Sequence, residues 1–347
     1  MVSIVGYPIG PDDYTTCFYA ALASAGVRVE PGIFSGRWML KHLRDVDYVH
    51  INWPSFLYDA PTLRGSLHNF AVFLFMLALM RLRGIRLIWT VHNLRPHRPS
   101  RIKAFDPIAR WLIVKLGTRF LVHGPSAEAE VLRHYPAMAG RTLVIDHGHW
   151  RGFHPNTIDR QDARAKLELS DNEFVFLFVG LCAPYKNLHG LIAAFERLET
   201  PSKLLIVGQF RDRAYEGKIR AAAAQAGPRV RLGGKFVPDE ELQIYLNACD
   251  VVVVPYAEVL TSGTAMLALS FGRPVIAPAM GFLNDVIAPD CGSLYDPAKS
   301  EGLIEAMRGA PHARFDEQRI VAEALQHDWM RSAEHLKAEL AAALTAR

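Results

Sequence analysis

A chain of 347 residues, half of them hydrophobic, with 39 basic and 35 acidic side chains, is long enough for two globular domains with separate cores. That composition excludes a disordered chain. The four widely spaced cysteines (Cys17, Cys182, Cys249, Cys291) read as buried free thiols of a reducing cytoplasm rather than disulfides or zinc ligands. Charge is uneven: residues 1–155 carry 18 basic and 10 acidic side chains, a net +8, whereas residues 156–347 carry 21 and 25, a net −4. Arg81 to Arg119 holds ten basic residues against Asp106 alone. Such an excess predicts an acidic partner (nucleic acid, an anionic lipid surface or a phosphorylated substrate), with a solvated helix face as the plain alternative.

The first half alternates strand and helix. Val2 to Pro8 opens as a strand rather than a signal peptide, and a loop with Gly10, Pro11, Asp12 and Asp13 follows. Thr15 and Thr16 predict a helix start, and Gly26 its stop. Asp47 to Asn52 is a further strand. The 11-residue apolar run from Phe70 to Met80 is too short for the roughly 20 residues that span a bilayer. It predicts a buried helix or an apolar surface beside a basic cluster. Arg86 to Thr90 is the next strand, which places His92 at its carboxyl end, where ligands bind in open α/β sheets. The loop after it carries Arg95, Arg98, Arg101 and Lys103 and no acid. Strands at 119–123 and 142–145 complete this half. The stretch DHGHWRGFHPN (146–156) has three histidines; an interdomain loop with a boundary near residue 155 is preferred to a metal site.

The second half repeats the alternation. Phe174 to Val179 is apolar throughout, so it predicts a central parallel strand ending at Gly180. The following loop delivers Lys186 to a helix start. The stretch from Asp250 to Pro278 reads as strand, polar loop with Glu258, a small polar tetrapeptide (Thr261, Ser262, Gly263, Thr264), helix and strand. A helix start of that kind offers free N–H groups to phosphate, or it is an ordinary N-cap. The segment 328–344 predicts an amphipathic tail helix. No dinucleotide fingerprint, P-loop, zincin or nucleophile-elbow motif occurs.

Taken in order, VGLCAPYKNLHGLIAAFERL, KLLIVG, RVRLGGKFVPDEELQIYLNACDVVVVPY, the TSGT-to-SFGRPVIAP block and CGSLYDP resemble the nucleotide-sugar-binding domain of group 1 glycosyltransferases of GT-B fold. WTVHNLRPH and DHGHWRGFHPN resemble the acceptor domain of their bacterial exopolysaccharide branch, nearest the GDP-mannose-dependent β-mannosyltransferases of xanthan-type polymers. The resemblance implies an α/β protein of two Rossmann-like domains facing across a cleft: an acceptor domain over 1–155, a donor domain over 156–327, and a helix over 328–347 packing back on the first.

It further implies that Lys186 contacts the donor diphosphate, that Ser262 to Thr264 cradle it beside Gly180, and that Glu258 holds the ribose. The loop with Phe236 and Val237 would receive the base. Two departures stand out. Retaining members carry two glutamates eight apart, where this chain has Val259 and Leu267, with Glu258 displaced by one. An arginine common after the glycine is Leu181 here. Both favour inversion, which needs a general base on the acceptor side: His92 first, Asp13 second.

The expected partners are a nucleotide-sugar donor and a polyprenyl-diphosphate-linked oligosaccharide, with no cofactor, metal or nucleic acid. Arg95, Arg98, Arg101 and Lys103 would face the acceptor or the inner leaflet of a membrane to which a cytoplasmic protein attaches peripherally. The alternatives are a retaining transferase for another UDP- or GDP-sugar, a non-catalytic nucleotide-sugar-binding protein, and a nucleic-acid-binding protein.

Overall fold

Short runs of β-branched and aromatic residues, each broken by glycine or a polar loop, fold as parallel strands in two separate sheets. The computed structural model describes residues 1–7, 13–96 and 98–345, so the expected loop from Pro8 to Asp12 lies outside the described residues. The chain divides into one unit formed by 1–147 with 328–347, and a second formed by 148–327.

The first unit holds β1 (Ser3–Tyr7), β2 (Arg28–Pro31), β3 (Tyr48–Ile51), β4 (Arg86–Thr90), β5 (Gly117–His123) and β6 (Thr142–Ile145). They pair in the order β2-β1-β3-β4-β5-β6, all parallel. The order reverses between β1 and β3, and such a switch point opens a crevice at the carboxyl ends of the strands. Asn52, Trp53 and His92 follow directly on β3 and β4, which puts them at that edge.

The helix Leu63–Arg83 is 21 residues long, well beyond the 11-residue apolar run. Thr62 caps its start, accepting from Gly65 N at 3.1 Å, and Gly84 ends it at φ 67°. Helical backbone therefore continues through polar residues on both sides of the run. By length and composition it is long and apolar enough to cross a membrane, with a mean hydropathy of 1.5 in its most apolar window, of which 39% is buried. Phe73, Met76, Leu77 and Met80 form its buried stripe, while Leu67, Leu74, Phe75 and Leu82 are exposed. The tail helix Trp329–Thr345 lies in the same unit. It is pinned by Tyr48 Oη donating to Leu340 O (2.8 Å), Lys337 Nζ to Ala25 O (2.6 Å) and Arg331 Nη2 to Asp146 (2.6 Å).

The second unit holds β7 (Phe174–Val179), β8 (Ser202–Val207), β9 (Val230–Leu232), β10 (Val251–Val253), β11 (Val275–Pro278) and β12 (Gly292–Tyr295), in the order β12-β11-β10-β7-β8-β9. Its switch point lies between β7 and β10. At the opposite, amino edge of these two strands the buried Arg164 pairs with Asp250 (2.8 Å) and donates to Ala248, Ser170 and Glu173 carbonyls. Asp250 Oδ2 also accepts from Val175 N at 2.7 Å, which locks the central strands together at the edge away from the crevice.

The boundary falls at 147/148, ahead of the 155 read from the sequence, because Trp150 is tied to the second unit. Its N donates to Ser270 Oγ (2.9 Å) and its Nε1 to Gly263 O (3.1 Å), so Trp150 clamps both ends of the helix Gly263–Ser270.

Candidate active site

In the second unit the crevice between β7 and β10 is built by close backbone approach. Gly180 and Gly208 end β7 and β8 at φ 126° and 149°, and a Cβ on Gly208 would lie 1.7 Å from Gly180 O. A Cβ on Gly180 would lie 3.2 Å from Thr264 Oγ1, so the Gly263–Ser270 helix starts directly against the end of β7. Ser262 is its N-cap, accepting from Ala265 N at 3.2 Å. The remaining first-turn N–H groups give this end partial positive charge. Lys186 adds a full charge: its Nζ stands 3.6 Å from the Tyr256 ring centroid, and Tyr256 Oη lies 3.5 Å from Ser262 Oγ. No carboxylate pairs with Lys186 among the described residues. Burial pushes the neighbouring Cys182 thiol up to about 12 against the opposing effect of Lys186, so it is an inert wall of the crevice.

Gly180, Lys186, Ser262 and Thr264 thus come together, with Gly263 and the half-buried Thr261 beside them. Glu258 and Phe236 are exposed, Phe236 at 69%, and Val237 is half-buried, on loops that follow β10 and β9 at the same edge of the sheet. Tyr256 and Trp150 were not read from the sequence as site residues.

In the first unit His92 stacks on Trp53 (ring centroids 4.4 Å apart, 17° between planes) and meets Tyr14 edge-on at 4.6 Å. Its Nε2 lies 3.3 Å from Asn52 Oδ1, and Asn52 Nδ2 donates to Tyr19 Oη at 3.0 Å. Tyr19 Oη lies 2.8 Å from His50 Nδ1, and His50 Nε2 lies 2.7 Å from Thr90 Oγ1. An amide oxygen only accepts, so His92 carries its proton on Nε2 and presents Nδ1 as the lone-pair nitrogen. Although His92 keeps part of its surface open, Tyr14 and Trp53 wall its ring. Desolvation first, then His123, His147 and His50, hold its pKa well below the usual histidine range. His92 is therefore neutral at neutral pH, with Nδ1 unprotonated.

Asp13 opens the helix Asp13–Ser24 and is half-buried. The structure brings the next residue, Tyr14, onto His92. Arg95, Arg98, Arg101 and Lys103 are all exposed on the loop after β4. That loop is tethered by Ser100 N donating to Asp106 Oδ2 (2.8 Å) and Arg101 N to Asp59 Oδ1 (2.9 Å). The triplet Asp45-Val46-Asp47 has the D-x-D spacing of a metal-binding element. Asp47 lies at the amino edge of β3 and accepts from Ser3 N (2.9 Å) and Ser3 Oγ (2.8 Å), so it serves the sheet.

Two doubly wound parallel sheets, each with its crevice at the carboxyl edge, define the fold of the GT-B glycosyltransferases. Across 100% of both chains the structure superposes on sucrose-phosphate synthase (tll1590) from Thermosynechococcus elongatus with a TM-score of 0.76 at 20% identity. Anabaena Alr3699/HepE in complex with UDP and glucose gives 0.73 at 16% identity, over 99% of this chain and 100% of that one. Residues 159–326 match the family described as Glycosyl transferases group 1. A GDP-mannose:glycolipid 4-beta-D-mannosyltransferase from Xanthomonas campestris pv. campestris is 30% identical over 328 residues, covering 92% of this chain and 84% of that protein. The chain belongs to the group 1 glycosyltransferases and is an enzyme of that class.

Proposed function

We propose that this glycosyltransferase moves mannose from GDP-mannose, with inversion, to a hydroxyl of a polyprenyl-diphosphate-linked oligosaccharide in exopolysaccharide synthesis. One observation carries the reading: the 30% identity to a GDP-mannose:glycolipid 4-beta-D-mannosyltransferase extends over 92% of the chain, acceptor half included. Leu267, where a retaining enzyme has its second glutamate, agrees with inversion.

In the reaction the acceptor hydroxyl attacks mannose C1 while the bond from C1 to the phosphate oxygen breaks. The hydroxyl proton passes to His92 Nδ1, and Asn52 holds the opposite nitrogen. Asp13 is the second candidate base; it sits where helix N–H groups stabilise negative charge, which makes it the poorer one. GDP leaves with the bonding pair, its charge met by Lys186 and the N–H groups of the Gly263–Ser270 helix, with no metal in the step. Glu258 binds the ribose, and Phe236 and Val237 receive the base.

The protein works from the cytoplasmic side as a peripheral protein of the inner membrane. Supporting this, eleven large hydrophobic residues beyond Met1 are exposed in the first unit against four in the second, among the described residues. Those on the Leu63–Arg83 helix share it with Arg64 and Arg81, and the basic loop with Arg95, Arg98, Arg101 and Lys103 belongs to the same unit, a combination suited to anionic lipid.

A thermal-shift series with GDP, UDP and ADP tests the donor. Ligand at 100 times its Kd stabilises by about 2.7 kcal/mol, so GDP raises the midpoint and the others do not. Stabilisation by UDP and not GDP would overturn the mannosyl reading.

A further inference from the structure

The first unit contains a pocket of about 580 Å³ at the base of the basic loop, within the roughly 300–1,000 Å³ of small-molecule sites. It lies between the helix Phe105–Leu116, the chain just after β4 and the turn Pro136–Met138. Leu94, Pro96, Pro107, Trp111, Val114 and Pro136 form its apolar wall. Proline has no N–H to offer, so such a wall suits hydrocarbon and not a hydrogen-bonding sugar.

Two arginines and a histidine stand on the same pocket. Arg95 and His134 line it and are exposed, and Arg110 lines it while only 6% exposed. Burial first, then Arg95 and Arg110, lower the His134 pKa, so its ring is a neutral hydrogen-bonding group beside two cations. Arg110 donates to the carbonyls of Asn93 (3.2 Å) and Leu94 (2.7 Å), to Asn93 Oδ1 (3.2 Å) and to Tyr135 Oη (3.2 Å). Its buried Nε has no hydrogen-bond partner, and no carboxylate lies within ion-pair distance among the described residues. The one acid on the wall, Asp106, is engaged by Tyr58 Oη and Ser100 N, both at 2.8 Å. A hydrocarbon cavity under a cationic rim has the complementarity of an amphiphile with a hydrocarbon tail and an anionic head.

The mouth also points to a lipid. Trp111, on the pocket wall, is 59% exposed, and Ile108 is 43% exposed one turn earlier on the same helix, which begins at Phe105. Phe105 stacks on Phe70 of the Leu63–Arg83 helix at 3.8 Å, so the helix that walls the pocket packs against the helix that carries the exposed apolar residues. We infer that this pocket takes the first isoprene units of the acceptor lipid, with their diphosphate against Arg95, Arg110 and His134. The inference rests on the lipid-diphosphate acceptor proposed above.

Calorimetric titration of the full chain tests it, with farnesyl diphosphate below its micelle concentration, inorganic diphosphate and dihexanoyl phosphatidic acid as probes. Farnesyl diphosphate should bind at least tenfold more tightly than either of the others. Ala137→Trp, at an exposed position on the pocket wall, should weaken it at least tenfold with its unfolding midpoint unchanged, and Trp111→Ala should weaken it as well. Farnesyl diphosphate binding no more tightly than inorganic diphosphate, or equally well to the Ala137→Trp protein, would overturn the pocket assignment. Phosphatidic acid binding as tightly would overturn its prenyl part. GDP binding, titrated in the same preparations, reports on the donor reading separately: its loss with the prenyl pattern intact removes the mannosyl reading and leaves the pocket.

Discussion

Lowering the pH from 7 to 5 should destabilise the first unit through histidines that the fold keeps neutral. His50 is 1% exposed, and burial lowers its pKa from the ordinary 6.5 to about 3. At pH 7 both folded and unfolded chains hold it neutral, so it contributes almost nothing. Below pH 6.5 the unfolded chain takes up a proton that the folded one refuses, so stability falls as pH falls, down to about pH 3. Between pH 7 and 5 the loss is about 2 kcal/mol for one such histidine, at 1.36 kcal/mol per pH unit. His123, also lowered to about 3 by burial and then by His147, adds a second loss of the same sign. Urea unfolding at the two pH values, for the wild type and for His50→Gln, isolates the first contribution. The wild type should lose about 2 kcal/mol more than the variant over this range. Equal pH dependence in the two proteins would refute the reasoning, as would a His50 imidazole resonance that titrates near 6.5 in the folded protein.

Three substitutions probe the crevices. Lys186→Ala removes the charge proposed to meet the diphosphate; a charge-assisted contact is worth about 1.5–3 kcal/mol, so GDP binding should weaken by roughly 10- to 150-fold in calorimetry with little change in the unfolding midpoint. Gly208→Ala sets a methyl group 1.7 Å from Gly180 O at a φ of 149°, so it should lower the unfolding midpoint and abolish GDP binding together. Asn52→Ala frees His92 to take either tautomer; kcat should fall by roughly 10- to 100-fold while the KM for the donor stays unchanged, the range seen when a partner orienting a functional histidine is removed. A fall in donor affinity alone would argue against Asn52 acting through His92.

The second unit was the more legible in the sequence because its site is made of backbone features with local signals. Gly180 at a strand end, Ser262 before an apolar-periodic run and Lys186 between strand and helix each sit within a few residues of the element that positions them. The relay behind His92 was not legible. Asn52, Tyr19 and His50 join residues 31 to 40 positions apart, and only the parallel pairing of β1, β3 and β4 brings them together. Arg110 is hidden for a similar reason: in sequence it is one more basic residue, and in the fold it is buried under the carbonyls of Asn93 and Leu94. The Leu63–Arg83 helix is longer than its apolar run because the run reflects side chains alone, whereas the helix ends where Thr62 and Gly84 cap it. Trp150 carries no local signal either, because its indole N–H holds the carbonyl of Gly263, 113 residues further along the chain, at the start of the site helix.

The proposed reaction is transfer of mannose with inversion to a lipid-linked acceptor. Incubating the full chain with radiolabelled GDP-mannose and a polyprenyl-diphosphate-linked oligosaccharide, then reading the anomeric configuration of the product by NMR, tests it most directly. Label should appear in the lipid fraction as a β-linked mannose, and the product should be lost in His92→Ala. An α-linked product, or transfer from UDP-glucose and not from GDP-mannose, would contradict it.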